Sequence, residues 1–189
     1  MDWLQCIKDF FNNQSVGAFV GAFSAFALVV LNDRRRDGRK VKNLCAEVEM
    51  ALAHAKRKLE SVRSNRALIR EHNRVMAAPI LAFNTALIRQ LTADVLSQLT
   101  LHQRRAIDAL CYTMEATDEI LGGAYHMAKS FSGVLGHVER ITTADRLLVE
   151  YNDAIVNLKR LMEMCENYIA EKYETIVTKQ YDRLDYEEN

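Results

Sequence analysis

Residues 16–31 read VGAFVGAFSAFALVVL, sixteen consecutive positions with Ser24 as their sole polar side chain. A helix made from this run has no polar face, so it belongs either in a bilayer or inside a globule. At ~1.5 Å per residue it spans roughly 24 Å, somewhat less than the ~30 Å hydrocarbon core. Asn32, Asp33 and the stems of Arg34, Arg35 and Arg36 extend it by a turn, or the bilayer thins to meet it. A cleaved signal peptide would carry its positive charges ahead of the run. Here Arg34, Arg35, Arg36, Arg39, Lys40 and Lys42 follow it. That order reads as a stop and as an orientation signal, because the Lys/Arg-rich side stays inside. The expectation is a single-pass inner-membrane protein of bacterial type, with residues 1–14 outside, a transmembrane helix over 15–33 and residues 34–189 in the cytoplasm. A buried core helix is the competing reading.

Helical spacing divides this run into two faces. Phe19, Phe23 and Phe26 share one, and Gly17, Gly21, Ser24 and Ala25 lie on the other. Gly17 and Gly21 form a GxxxG pair, whose small residues let two membrane helices approach closely, so self-association through this face is expected. Upstream, Trp3, Leu4, Ile7, Phe10 and Phe11 recur at helical spacing. They predict a short interfacial helix over residues 1–14, with Trp3 at headgroup level. Arg34, Arg35, Arg36, Arg39 and Lys40 are the expected contacts to anionic lipid.

Beyond Gly38 the chain predicts an all-α domain, residues 34–182, closed by an acidic tail over 183–189. Val41, Cys45, Val48, Leu52, Ala55, Leu59, Val62, Arg66 and Ile69 alternate four and three apart, a heptad seam on a helix of residues 39–73. Pro79 is placed to open a second helix over 79–99. Thr100 and Gln103 form a capping-box signature for a third helix. Its apolar set is Ile107, Leu110, Cys111, Met114, Leu121 and Met127. Four of the seven glycines fall in residues 122–136, which predicts a bend or loop there. Thr142 or Thr143 then caps a last helix, with a second seam of Ala144, Leu148, Tyr151, Ile155, Leu158, Met162, Cys165 and Ile169. Two long heptad helices with two shorter ones between them predict an antiparallel bundle of about four, its first and last members side by side. Residues 76–88 (MAAPILAFNTALI) are the one other place for a membrane passage. Their length and Asn84 favour a buried helix instead.

Signs of chemistry are scarce. No histidine has a Glu three positions before it, so the ferritin-like metal pattern is missing. No CxxC, GxxxxGK[ST], GxGxxG, HExxH or GxSxG occurs. Neither a cofactor nor a metal is expected, and no enzyme. Cys45, Cys111 and Cys165 sit in apolar periodic positions, as buried free thiols do, and reduced thiols suit a cytosolic domain. Lys+Arg and Asp+Glu balance at 25 each, so no overall charge points to a polyanionic partner. Locally, Arg63, Arg66, Arg70 and Arg74 stack on successive turns as candidate anion- or partner-binding residues, for nucleic acid, a nucleotide or a protein. The favoured alternative pairs them with Glu150, Asp153, Glu163 or Glu166 on the last helix.

The run GAFVGAFSAFALVVL with its arginines and the long helix that follows resembles a loosely defined group of orphan bacterial membrane proteins. These join a GAFxGAFxAF-type anchor to a cytoplasmic helical domain. Some occur in anti-phage defence loci, including as retron-associated membrane effectors. The resemblance covers residues 15–45 and transfers no functional residue. It implies a non-enzymatic effector whose bundle binds a protein partner while its anchor self-associates or perturbs the membrane. A static tether or scaffold, and nucleic-acid or nucleotide binding through the arginines, are the alternative functions.

Overall fold

The computed structural model describes the backbone of residues 14–72, 74–77, 80–131 and 137–178, and the side chains of the same stretches except 14–20 and 137–140. The described chain is all-α, without a strand among these residues. Helix α1 is Gln14–His72, α2 is Thr85–Asp94, α3 is Leu101–Phe131 and α4 is His137–Ile169. A 3-10 turn, Leu96–Gln98, follows α2, and a short helix α5 covers 173–178. The chain divides into two compact units, Met1–Lys42 and Asn43–Asn189. The expected interfacial helix over residues 1–14, with Trp3, and the acidic tail over 183–189 lie outside the described residues, Gln14 apart.

Several of the expected element boundaries move. The anchor helix and the first bundle helix are not separate, since Gly38 sits inside α1. Of the segment expected to hold a bend or loop, residues 122–136, the part up to Phe131 with Gly122 and Gly123 belongs to α3, and a methyl group at either glycine would meet nothing within 4 Å. A lone glycine costs a helix only about 1 kcal/mol, which packing on both sides readily offsets. Residues 132–136 are outside the described set. Thr142 and Thr143 are interior to α4, which starts at His137, so neither caps it.

The second predicted helix shrinks to ten residues, because Asn84 takes the N-cap and its Oδ1 accepts the Leu87 N–H at 3.4 Å. Residues 74–77 and 80–84 are not helical, which removes the second membrane passage considered for 76–88. The capping box is present in both directions: the Thr100 N–H donates to Gln103 Oε1 at 2.8 Å, and the Gln103 N–H donates to Thr100 Oγ1 at 3.2 Å.

In the second unit the buried row of α1 is Leu44, Val48, Ala51, Ala55, Lys58, Val62, Asn65 and Ile69. On α4 it is Ala144, Leu147, Tyr151, Ala154, Leu158, Leu161, Cys165 and Tyr168. Both alternate by three and four, as helices packed along a shallow seam must. Ile107, Leu110, Cys111, Met114 and Leu121 face them from α3. Arg66 to Asn152 and Lys56 to Glu166 bridge α1 and α4, and residue numbers rising on one helix fall on the other, so the two run antiparallel, side by side as expected. Three long helices therefore form the core, with α2 laid on α3 as a partial fourth. After α4 the chain reverses through Glu171, and α5 returns Ile176 to the interior.

Candidate functional site

Four groups of residues are placed to do something other than fill the core. The first is the apolar run. From Gly21 to Leu31 every described side chain is exposed except Ala27 and Val30, which are half-buried. Phe23 and Phe26 are 68% and 67% exposed, with Leu28, Val29 and Leu31 also above half. Gly21, Ser24 and Ala25 are exposed too, and no atom lies within 4 Å of where a Gly21 methyl would stand. Gly17 belongs to the stretch whose side chains are not described. Most of this stretch is thus apolar surface that the described residues leave uncovered. Among the described residues, no helix is long and apolar enough to cross a membrane.

The second group directly follows. Arg34, Arg35, Arg36 and Arg39 are exposed and Lys40 is half-buried, and no ion pair among the described residues engages any of them.

The third is the arginine stripe. Arg63 and Arg70 are exposed on α1, and Arg74 is exposed just beyond its end. The favoured expectation, pairing with carboxylates of the last helix, does not hold for them. Only Arg66 crosses to α4, where its Nη1 donates to the Asn152 Oδ1 at 2.8 Å. Glu166 pairs instead with Lys56, at 3.7 Å.

The fourth group was not anticipated. Lys58, 6% exposed, reaches Asp118 Oδ1 at 2.5 Å. The second carboxylate oxygen accepts the Phe83 backbone N–H at 2.6 Å, and the ammonium lies 3.7 Å from the Phe83 ring centroid. One part-buried charge pair thus ties α1, α3 and the strap leading into α2 together. Burial pushes the Lys58 ammonium below its ordinary pKa, against the opposing pull of Asp118. A groove of about 260 Å³ opens beside it, lined by His54, Arg57, Lys58, Ser61, Ile80 and Leu81. The readable signal was position: Lys58 falls three residues after Ala55 and four before Val62, within the core row.

Burial disfavours the thiolate at the three described cysteines. Cys111 and Cys165 are buried, and burial pushes them up to about 11 and about 12; Cys45 is half-buried and is also raised, first by burial and then by Glu49. Among the described residues, no three His, Cys, Asp or Glu side chains gather as a metal site would require. No protein-family profile, curated protein or solved structure matches this chain.

Proposed function

We propose that this protein is a membrane-anchored, non-enzymatic helical effector, whose bundle binds a protein partner while its N-terminal helix self-associates in, or perturbs, the bacterial inner membrane. The observation that carries the reading is the exposed apolar surface from Gly21 to Leu31, continuous in sequence with residues 16–20 and followed at once by five arginines and lysines at 34–36, 39 and 40. The anchor spans residues 15–33, with the N-terminus outside and the bundle in the cytoplasm. Gly17, Gly21, Ser24 and Ala25 form the helix-packing face, and the basic cluster holds the cytoplasmic headgroups. A helical backbone unbroken from Gln14 to His72 supports coupling between partner binding and anchor assembly. The resemblance of residues 15–45 to anchors in anti-phage loci makes antiviral defence the setting.

Alkaline carbonate extraction of the full chain expressed in bacteria tests the anchor. It should remain in the membrane pellet, and release into the supernatant refutes the proposal. The Gly17→Leu/Gly21→Leu variant should lose association in a membrane reporter and lose dye entry on overexpression. A static tether for a cytoplasmic partner is the second reading. It predicts harmless overexpression, and a partner that leaves the membrane fraction when residues 1–31 are deleted. The unpaired state of Arg63, Arg70 and Arg74 keeps nucleic-acid or nucleotide binding as a third reading, tested by retention of oligonucleotides before and after their conversion to Glu.

A further inference from the structure

His54, Arg57, Lys58 and Ser61 recur at helical spacing, so they share one face of α1. With Ile80 and Leu81 of the strap they line the groove of about 260 Å³ described above. A second groove, of about 270 Å³, adjoins it. His54 and Arg57 line both, and Glu47, Met50, Ala53 and Phe83 are among the rest of the second wall. The first groove thus has four donor side chains and no carboxylate in its lining. Among the described residues, Arg57 and Ser61 engage no hydrogen-bond or ion-pair partner, and His54 meets the Phe83 ring, at 6.5 Å between centroids. Asp118 already balances the charge of Lys58. The fixed charge left over in the lining is that of Arg57 alone.

We propose that the two adjoining grooves bind a small-molecule monocarboxylate with an apolar body. Its reach is ~10 Å, the rise of the seven residues from Met50 to Arg57. One uncompensated guanidinium suits one carboxylate, which it holds through two parallel N–H···O bonds. The Ser61 hydroxyl is a second donor. The Lys58 ammonium is a third, since one carboxylate oxygen and one ring face leave it an unused N–H. Ile80 and Leu81, the latter 79% exposed, give the head group an apolar wall that excludes water and strengthens the ion pair. The apolar body runs past His54 onto Met50, Ala53 and Phe83 in the second groove, where Met50 is 54% exposed. Glu47 lines only that second groove, and its repulsion sets the orientation, with the carboxylate toward Ser61. A phosphate dianion would find one free cation for two charges, and a neutral ligand would leave Arg57 unmatched. This binding needs neither the anchor nor a protein partner, so it stands apart from the function proposed above.

The test uses the full chain in detergent micelles, carbon-13 labelled at the methionine methyls, titrated with 4-phenylbutyrate and followed by NMR. The Met50 signal, assigned by its loss in Met50→Leu, should shift to saturation, while that of Met114, fully buried in the core, stays in place. Arg57→Gln should weaken binding by at least about tenfold, and Arg57→Lys should restore part of it. The alcohol 4-phenylbutanol has the body without the charge, and acetate the charge without the body. Each should bind at least about tenfold more weakly than 4-phenylbutyrate. Arg57 is at the surface, so its variants keep their helix content by circular dichroism. A Met50 signal that ignores 4-phenylbutyrate overturns the proposal. So does an affinity indifferent to Arg57, or one matched by the alcohol, which is plain apolar partition. An affinity matched by acetate overturns it as well, being simple ion pairing at an open arginine. Phenyl phosphate bound more tightly than 4-phenylbutyrate would assign the site to phosphate monoesters instead.

Discussion

Lys58 on α1 and Asp118 on α3, sixty positions apart, close an ion pair in the middle of the bundle, with the Phe83 N–H on the carboxylate's other oxygen. Lys58 leaves water and Asp118 most of it to make the pair, so it adds little net stability while being costly to break. Its structural consequence is specificity. Sliding α1 by one heptad along α3 would bury an unmatched ammonium, and lifting the strap would leave an unpaired carboxylate oxygen and a bare N–H.

Removing one partner should therefore cost far more than removing both. Asp118→Ala strands the Lys58 charge and should destabilise the chain by about 3 kcal/mol. Lys58→Met/Asp118→Leu should recover most of that loss. Urea midpoints of the full chain in detergent decide it. A double variant as unstable as Asp118→Ala would show that the pair contributes attraction outright.

The reversal after α4 stores strain in one residue. The Lys172 N–H reaches the Asn167 carbonyl at 2.8 Å and the Glu171 N–H the Tyr168 carbonyl at 3.0 Å, the Schellman arrangement that closes a helix C-terminus. It needs a left-handed residue, and Glu171 supplies it with φ of 59°. A side chain there costs ~1 kcal/mol or more relative to glycine, of which the extra freedom of an unfolded glycine takes back part. Glu171→Gly should stabilise by about 0.5–1 kcal/mol, raising the thermal midpoint by roughly 1–4 °C. Glu171→Val should lower it. A destabilised glycine variant would mean that the carboxylate makes a contact worth more than the strain.

The α3 capping box gives a smaller effect. Thr100→Ala removes the hydroxyl that accepts the Gln103 N–H and should cost about 1 kcal/mol, whereas Thr100→Ser should cost almost nothing. Thermal melts of the two variants side by side check this, and equal losses would place the contribution in the methyl group.

More than half of each seam was legible in the sequence, and the two helices hid the remainder for different reasons. Val48, Ala55, Leu59, Val62 and Ile69 on α1, and Ala144, Tyr151, Ile155, Leu158 and Cys165 on α4, are buried as their spacing predicts. The alternating row came out one position late on both helices. On α4 the competing rows are nearly equal in apolarity, Leu147 against Leu148 and Leu161 against Met162, so periodicity has no means to choose between them. On α1 the true row contains Lys58 and Asn65, and hydrophobicity steers away from both. Their burial is permitted only by partners distant in sequence, Asp118 for the lysine and the Tyr151 hydroxyl for the asparagine. The capping box was legible in full, being a contact between residues three apart.

Buried acids that must stay protonated make the fold sensitive to alkali. Cys111 and Cys165 sit at about 11 and about 12 in the folded chain against an ordinary 9.0. For an acid whose folded pKa is raised, the unfolded chain loses its proton first. Between the two values it holds fewer protons than the native state, so stability falls as pH rises. The contribution is intact below about pH 9 and is lost progressively from there toward pH 11–12, each thiol approaching a slope of about 1.4 kcal/mol per pH unit. Tyr151 and Tyr168, both raised by burial, add the same sign above pH 10, while Lys58, lowered by burial, opposes them. Urea midpoints at pH 8.0 and 10.5 should therefore drop sharply for the native sequence. They should drop by clearly less for Cys111→Ala/Cys165→Ala, whatever the variant's stability at pH 8.0. Identical drops in the two proteins would mean that the thiols reach solvent and ionise within the fold.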